Sequence, residues 1–349
     1  MNYDFKKHLI NCSTPLKGCL QRLNELGLDA ILFVIDDFGK LKGSLTDGDL
    51  RRGFIDNLSL QNNVEEFLQP NPKSILRGQY TLQEIIVLRE QGFKVLPVID
   101  YTGVVVNVIN FRFIKSYLPV DAIVMAGGRG ERLKPLTDTI PKPLLVVGEK
   151  PIIKHNIDRL ISFGVDDFWI SVKYLGEQIE DYLKDGSDNG VRIKYVKEET
   201  ALGTIGSVSL IPSFEHDYVL ITNSDILTNL DYEKFFLDFI DSNSDFAVAT
   251  IPYSVNVPYA ILETTDNIIQ SFREKPTYTY FANAGIYLIK RELCSKIPKD
   301  QFYDATDLLE YLLEHKYKVS SFPLRGYWLD IGKHDDYIKA QADVEFITF

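Results

Sequence analysis

Three cysteines in 349 residues, Cys12, Cys19 and Cys294, are too few and too scattered for a disulfide framework or a zinc cluster. A reducing compartment suits them, so a cytoplasmic location is expected. Positive charge is scarce as well: 38 Lys and Arg against 49 Asp and Glu leave a formal net charge of -11. So acidic a chain is a poor nonspecific ligand for nucleic acid or an anionic membrane, and neither is expected as a partner. No apolar run approaches the roughly 18 residues of a membrane span. The opening MNYDFKKHLINCS has no apolar core of signal-peptide type. The five histidines, His8, His155, His216, His315 and His334, fall at no metal-ligand spacing and build no Ser/His/Asp arrangement. What is present is an ordinary globular composition, 45% hydrophobic and 25% charged, long enough for roughly two domains.

The stretch 121–151, DAIVMAGGRGERLKPLTDTIPKPLLVVGEKP, organises the rest. Its apolar start reads as a buried strand that empties into Gly127, Gly128, Arg129 and Gly130. Glycines there let backbone N–H groups approach a bulky anion. Arg132 and Lys142 add the cationic charge a polyphosphate needs. A structural strand–turn–helix junction is the bland alternative. Further on, Asp225 in Asn223-Ser224-Asp225 and Asp330 in the run 327–332, YWLDIG, each end an apolar strand. Two such acids suit a Mg²⁺ ion shared with phosphate oxygens, although Asp225 also reads as a turn or N-cap aspartate. Arg273-Glu274-Lys275-Pro276 follows a strand-like run and offers a cation and a carboxylate, or else a solvated hairpin end. Asn283-Ala284-Gly285 places an amide and a glycine on a strand, as a bulge or as a close approach to a ring-shaped ligand.

Pro119 marks the expected boundary between units 1–118 and 119–349. In the first, ILFVIDDFGKLKGSL and VLPVIDYTGVVVNVI repeat one pattern at a period of roughly 65 residues, so two copies should pack to bury a shared sheet face. Helices are expected at 15–26, 47–54, 81–90 and 111–117. In the second unit strands and helices alternate, including a helix at 204–210, which argues for a mostly parallel sheet with ligands outside the carboxyl ends of its strands.

GSLTDGDLRR resembles the end of a CBS motif, and the two copies resemble a CBS pair. The resemblance implies an adenine nucleotide contacted by Thr46 and Asp49, and a homo-oligomer, because such pairs dimerise. Thr46 and Asp49 equally suit a helix N-cap. At the matching positions of the second copy stand Asn107 and Asn110, a departure from the motif. In the second unit AGGRGERLKPLTDTIPKPLL, KEETALGTIGS, NSDIL, REKP, NAGIY and WLDIG occur in order, and together they resemble the sugar-1-phosphate nucleotidylyltransferases. One departure is Asn223-Ser224 where relatives carry glycine.

That resemblance implies an α/β fold: an N-terminal CBS pair, then a Rossmann-like, glycosyltransferase-A-type domain with a mixed, mostly parallel sheet. It implies a nucleoside triphosphate and a sugar 1-phosphate as substrates, with Mg²⁺ held by Asp225 and Asp330. Arg132, Lys142 and Lys275 would face the phosphates. Ala126, Gly127, Gly128, Gly130, Leu202 and Gly203 would line the nucleotide, and Glu274, Asn283 and Gly285 the sugar. The domain order resembles bacterial guanylyltransferases that activate glucosamine 1-phosphate for legionaminic acid synthesis. GTP with glucosamine 1-phosphate is therefore expected, ahead of mannose or heptose 1-phosphate. An inactive, nucleotide-sensing regulatory protein is the alternative from another class.

Overall fold

Apolar runs separated by Asx turns build the N-terminal unit. Strands Ile31–Ile35 and Leu41–Thr46 pair antiparallel around a turn in which Asp36 accepts from the amides of Phe38 and Lys40. Strands Val95–Ile99 and Val105–Asn110 repeat that hairpin, with Asp100 accepting from Thr102 and Val104. Both hairpins shift register at the same step, Val34/Ile35 in one and Val98/Ile99 in the other. A short strand joins each in parallel, Leu9–Asn11 and Ile75–Leu76. The hairpins meet end to end, the Leu41 amide donating to the Gly103 carbonyl and the Val105 amide to the Gly39 carbonyl, each at 3.0 Å. Phe33, Val95, Val105 and Val108 bury one shared face between them. The structure, a computed structural model, describes residues 4–347.

Two expected helices are not formed. Residues 111–117 make a single turn on the Asn110 carbonyl, and the Lys115 and Leu118 amides donate to Ser162 and Phe163 of the second unit. Docking there consumes the donors that a helix would have used. Residues 204–210 form only a 3-10 turn, Gly206–Leu210. The Thr204 amide goes to the Asp304 carboxylate and the Ile205 amide to the Tyr303 carbonyl, which leaves no first helical turn.

The second unit is built on a seven-stranded sheet. From one edge its strands are Arg192–Lys197, Asp167–Val172, Val120–Met125, Tyr218–Asn223, Thr277–Lys290, Phe246–Asn256 and Val319–Pro323. The first four are parallel neighbours, and Thr277–Lys290 runs antiparallel to both its partners. Helices Ile152–Ile161, Gly176–Leu183, Tyr232–Asp241 and Ala305–Glu314 cover it. Strands Phe246–Asn256 and Thr277–Lys290 run on beyond the sheet as a paired arm, which carries the hairpin Ile261–Thr265/Ile268–Arg273.

The two units meet at the amino ends of the parallel strands. Ile75, Leu82, Ile85, Leu88, Leu96, Val98 and Ile109 of the second repeat share one apolar cluster with Leu118, Val120, Phe163 and Phe168. The first repeat keeps its own cluster, around Leu16, Cys19, Leu23, Leu32 and Leu45. Arg77 of the second repeat reaches Asp166 at 3.5 Å and Asp167 at 2.5 Å, both at the start of their strand. Arg192 pairs with Asp167 as well, and Tyr117 donates to Asp166 at 2.8 Å. Burial pushes the Asp167 carboxyl up, but His216, Arg77 and Arg192 outweigh it and hold the group well below the usual carboxylate range. No described helix is long and apolar enough to cross a membrane.

Candidate active site

At the opposite, carboxyl ends of the strands lies a cavity of about 520 Å³. The Ala126 amide donates to the Ser171 carbonyl and the Ser224 amide to the Met125 carbonyl, so the loops leaving three neighbouring strands stand side by side. Gly127, Gly128 and Gly130 form one wall. Gly130 sits at φ +61°, and a Cβ there would come within 2.9 Å of the Lys142 side chain and 3.0 Å of Thr137. Only glycine keeps this turn and leaves Lys142 its place. Leu202 and Gly203 also line the cavity, while Ala126 is buried just behind its lining.

The charged floor joins residues far apart in sequence. Asp225 follows the strand Tyr218–Asn223, and Asp330 ends the strand Trp328–Asp330 that pairs with Ile226–Thr228. The Ile331 amide donates to the Asp225 carbonyl at 3.0 Å and locks the two acids together. Lys142, 9% exposed, stands between them: its ammonium donates to Asp225 and lies 4.0 Å from Asp330. One oxygen of each carboxylate, Oδ1 of Asp225 and Oδ1 of Asp330, is buried without a hydrogen-bond partner. Burial, then the charge of Asp225, pushes the Asp330 carboxyl above its ordinary value, with Lys142 and Arg132 opposing. Two carboxylates thus share one ammonium, and their orphaned hard oxygens are the donor type that suits Mg²⁺ beside phosphates. Arg132 lies exposed on the cavity wall, its guanidinium over Gly332, and has no ion-pair partner among the described residues.

Not every expected site residue reaches this cavity. Asn283 and Gly285 lie beneath it: Gly285, at φ +72° in a bulged strand, packs against Asn223 on the cavity lining, and the Asn283 side chain accepts from the Gly285 amide. Glu274 and Lys275 do not line it; they stand exposed where the arm's hairpin returns to strand Thr277–Lys290. In the N-terminal unit Thr46 caps the helix Asp47–Ile55, and Asp49 completes a reciprocal capping box and an ion pair with Arg52.

Glu198 was not singled out in the sequence. It lines the cavity beside Gly127, accepts from the Ser171 hydroxyl at 2.6 Å and lies 3.3 Å from the Leu202 amide. Its only sequence signal is its place just ahead of Leu202-Gly203, in a run rich in acids that reads as solvated.

Comparison with known proteins agrees with this geometry. The family model for nucleotidyl transferases matches residues 121–346, and the model for a CBS domain matches residues 8–56. Among curated relatives, the bifunctional protein GlmU of Methanocaldococcus jannaschii is 32% identical over 63% of this chain and 53% of its own length. A mannose-1-phosphate guanylyltransferase of Mycobacterium tuberculosis is 29% identical over 64% of each chain. This chain therefore spans between half and two thirds of the length of these relatives. The crystal structure of HddC from Yersinia pseudotuberculosis superposes with a TM-score of 0.51 at 27% identity, covering 64% of this chain and 99% of that one.

Proposed function

We propose a reaction from one premise: this chain belongs to the nucleotidyl transferase family. The reaction is transfer of a nucleoside monophosphate from a nucleoside triphosphate to a sugar 1-phosphate. An oxygen of the sugar phosphate attacks the α-phosphorus, a P–O bond forms, and the bond to the β-phosphate breaks with pyrophosphate leaving. The nucleophile is already an oxyanion, so no covalent intermediate or strong base is needed. The barrier lies in bringing two polyanions together, and positioning and electrostatics lower it. One observation carries the reading: the glycine wall, Arg132, Lys142 and Asp225 line one cavity, and Asp330 stands behind them, 4.0 Å from the Lys142 ammonium. A purely nucleotide-sensing chain would have no use for two acids and two cations aimed at one point.

In this reading Gly127, Gly128 and Gly130 cradle the phosphates, with Ala126, Leu202 and Gly203 around the nucleoside. Arg132 steadies the leaving pyrophosphate and Lys142 faces the reacting phosphates, whereas Lys275, outside the cavity on the arm, would have to move in to reach them. Glu274, Asn283 and Gly285 are proposed for the sugar, but none lines the cavity, so contact requires the arm and the bulged strand to move toward it. Asp225 and Asp330 hold Mg²⁺, which when bound neutralises phosphate charge and makes the α-phosphorus more electrophilic.

GTP is the proposed donor. Glu198 stands between Gly127 and Leu202 with its carboxylate engaged by the Ser171 hydroxyl and the Leu202 amide; guanine alone among the common bases offers two adjacent N–H donors to displace those contacts. Uracil and thymine offer one N–H between two carbonyls, and adenine turns an acceptor toward it. Glu198→Gln is expected to narrow the preference for GTP over UTP roughly 5- to 100-fold, the value of one bidentate base contact. Pyrophosphate release from a panel of nucleoside triphosphates against glucosamine, mannose and heptose 1-phosphates tests the whole assignment. Glucosamine 1-phosphate is the leading acceptor. Turnover with no pair in that panel would sink it.

Thr46 and Asp49 are proposed to contact an adenine nucleotide in the N-terminal unit. Asp49 already holds Thr46 and Arg52, so the ligand's ribose must displace the Arg52 contact. Calorimetry with AMP should show binding to the full chain that Asp49→Asn weakens at least tenfold. Equal affinity in the two proteins would remove Asp49 from the site.

A further inference from the structure

Lys173 is the cation that the phosphate floor leaves unused. It lines the cavity, half-buried, and its ammonium enters no ion pair among the described residues. It follows the strand Asp167–Val172, which lies between Arg192–Lys197 and Val120–Met125. The Glu198 amide donates to the Val172 carbonyl at 3.0 Å, so Lys173 and Glu198 leave adjacent strands side by side. Both border Gly127: a Cβ built there would lie 2.8 Å from a Glu198 oxygen and 3.5 Å from the Lys173 Cβ.

Strand order sets Lys173 in one half of the cavity. Along the carboxyl edge come Glu198, Lys173, Ala126 with the glycine loop, then Ser224 and Asp225. Neighbouring strands are about 4.8 Å apart, so Glu198 stands one spacing from Lys173, and Asp225 two. The other cations gather beyond the glycines, Lys142 on Asp225 and Arg132 over Gly332. Lys173 keeps company with Glu198 instead, yet the two are not ion-paired.

An ammonium and a carboxylate held side by side offer a donor next to an acceptor. A ring N–H flanked by a carbonyl satisfies both, and guanine, uracil and thymine have that edge. Adenine and cytosine present the reverse, a ring acceptor flanked by an amino group. We propose that Lys173 selects the base, donating to the carbonyl beside the ring N–H that Glu198 accepts, guanine O6 in the leading case. Adenine would turn its amino group to the ammonium and its ring nitrogen to the carboxylate, leaving two charged groups without partners. ATP is thereby rejected. The inference rests on the reading that puts Glu198 at the base, and it holds for GTP or UTP alike.

Calorimetric titration of the full chain with GTP, UTP, ITP and ATP, with Mg²⁺ and no sugar phosphate, tests this without turnover. Wild type should prefer GTP or UTP over ATP by roughly 100-fold or more, since a site built for hydrogen bonds rejects a base that cannot make them. Lys173→Met should shrink that preference about 10- to 100-fold, the value of one hydrogen bond to a charged group, with ATP affinity hardly changed. ITP keeps O6 and loses the 2-amino group, so the substitution should weaken ITP as much as GTP. Lys173→Arg keeps a cationic donor and should keep most of the preference. A wild type that binds ATP as well as GTP and UTP overturns the proposal. So does a Lys173→Met protein whose preference is intact, or one that weakens every nucleotide equally, as loss of a phosphate contact would. Pyrophosphate release decides the transfer reaction by itself, so the two readings fail separately.

Discussion

Asp225→Asn is expected to lower turnover by about 10²- to 10³-fold, the loss usual when one preorganised charge is removed from a reacting centre. The substitution keeps the shape of the side chain and still offers Lys142 an oxygen, so the floor of the cavity should hold together. What disappears is one of the two negative charges that share the Lys142 ammonium. Lys142 and Arg132 would then face Asp330 alone, and a divalent cation would lose a ligand. A Mg²⁺ titration should show half-saturation shifted upward by at least tenfold. Arg132→Ala should cut turnover comparably from the other side of the cavity, without that shift in Mg²⁺ dependence. Near wild-type turnover in Asp225→Asn would refute the assignment of the site.

The largest expected effect on stability lies at the other end of the same strands. Arg77→Met should destabilise the chain by about 1.5–3 kcal/mol, the value of a hydrogen bond to a charged group, since Asp167 keeps Arg192. Asp167 is the stranded group: its side chain is 4% exposed, and only His216 and the more open Arg192 would remain beside it. The pH dependence follows from the direction of the shift. A carboxyl held below its unfolded value, near 3.9, stabilises the fold above that pH, and the stabilisation is lost as pH falls toward the folded value. Wild type should therefore lose stability steeply below about pH 4, and Arg77→Met, with Asp167 held down less firmly, should lose less over the same range. Urea unfolding of both proteins at pH 7 and pH 3 measures this. Equal midpoints at pH 7 would show that the seam contributes nothing to the fold.

Much of this architecture was legible in the chain because short-range physics wrote it there. The repeated hairpins announce themselves through Asp36 and Asp100, whose side chains make the same turn 64 positions apart. The glycine loop, Asp225 and Asp330 were readable because each closes an apolar strand. Other features were not. The segment 111–117 has helical composition, but after one turn its Lys115 amide, and then that of Leu118, are taken by residues about 50 positions later. Glu198 is one acid among many until folding sets it against Gly127. The exposure of Glu274 and Lys275 depends on how far the arm runs past the sheet, a tertiary property with no local signal.

The shared cluster at the seam also constrains how such a chain can change over evolutionary time. The first repeat keeps one apolar cluster to itself, whereas the second repeat has given its interior to the second unit. A lineage could therefore remodel the inner cluster of the first repeat, but discarding that repeat would uncover Val95, Val105 and Val108. Cutting at Pro119 would instead uncover Leu118, Val120 and Phe163 to water, and substitutions in helix Leu82–Glu90 must be matched by compensating changes across the seam.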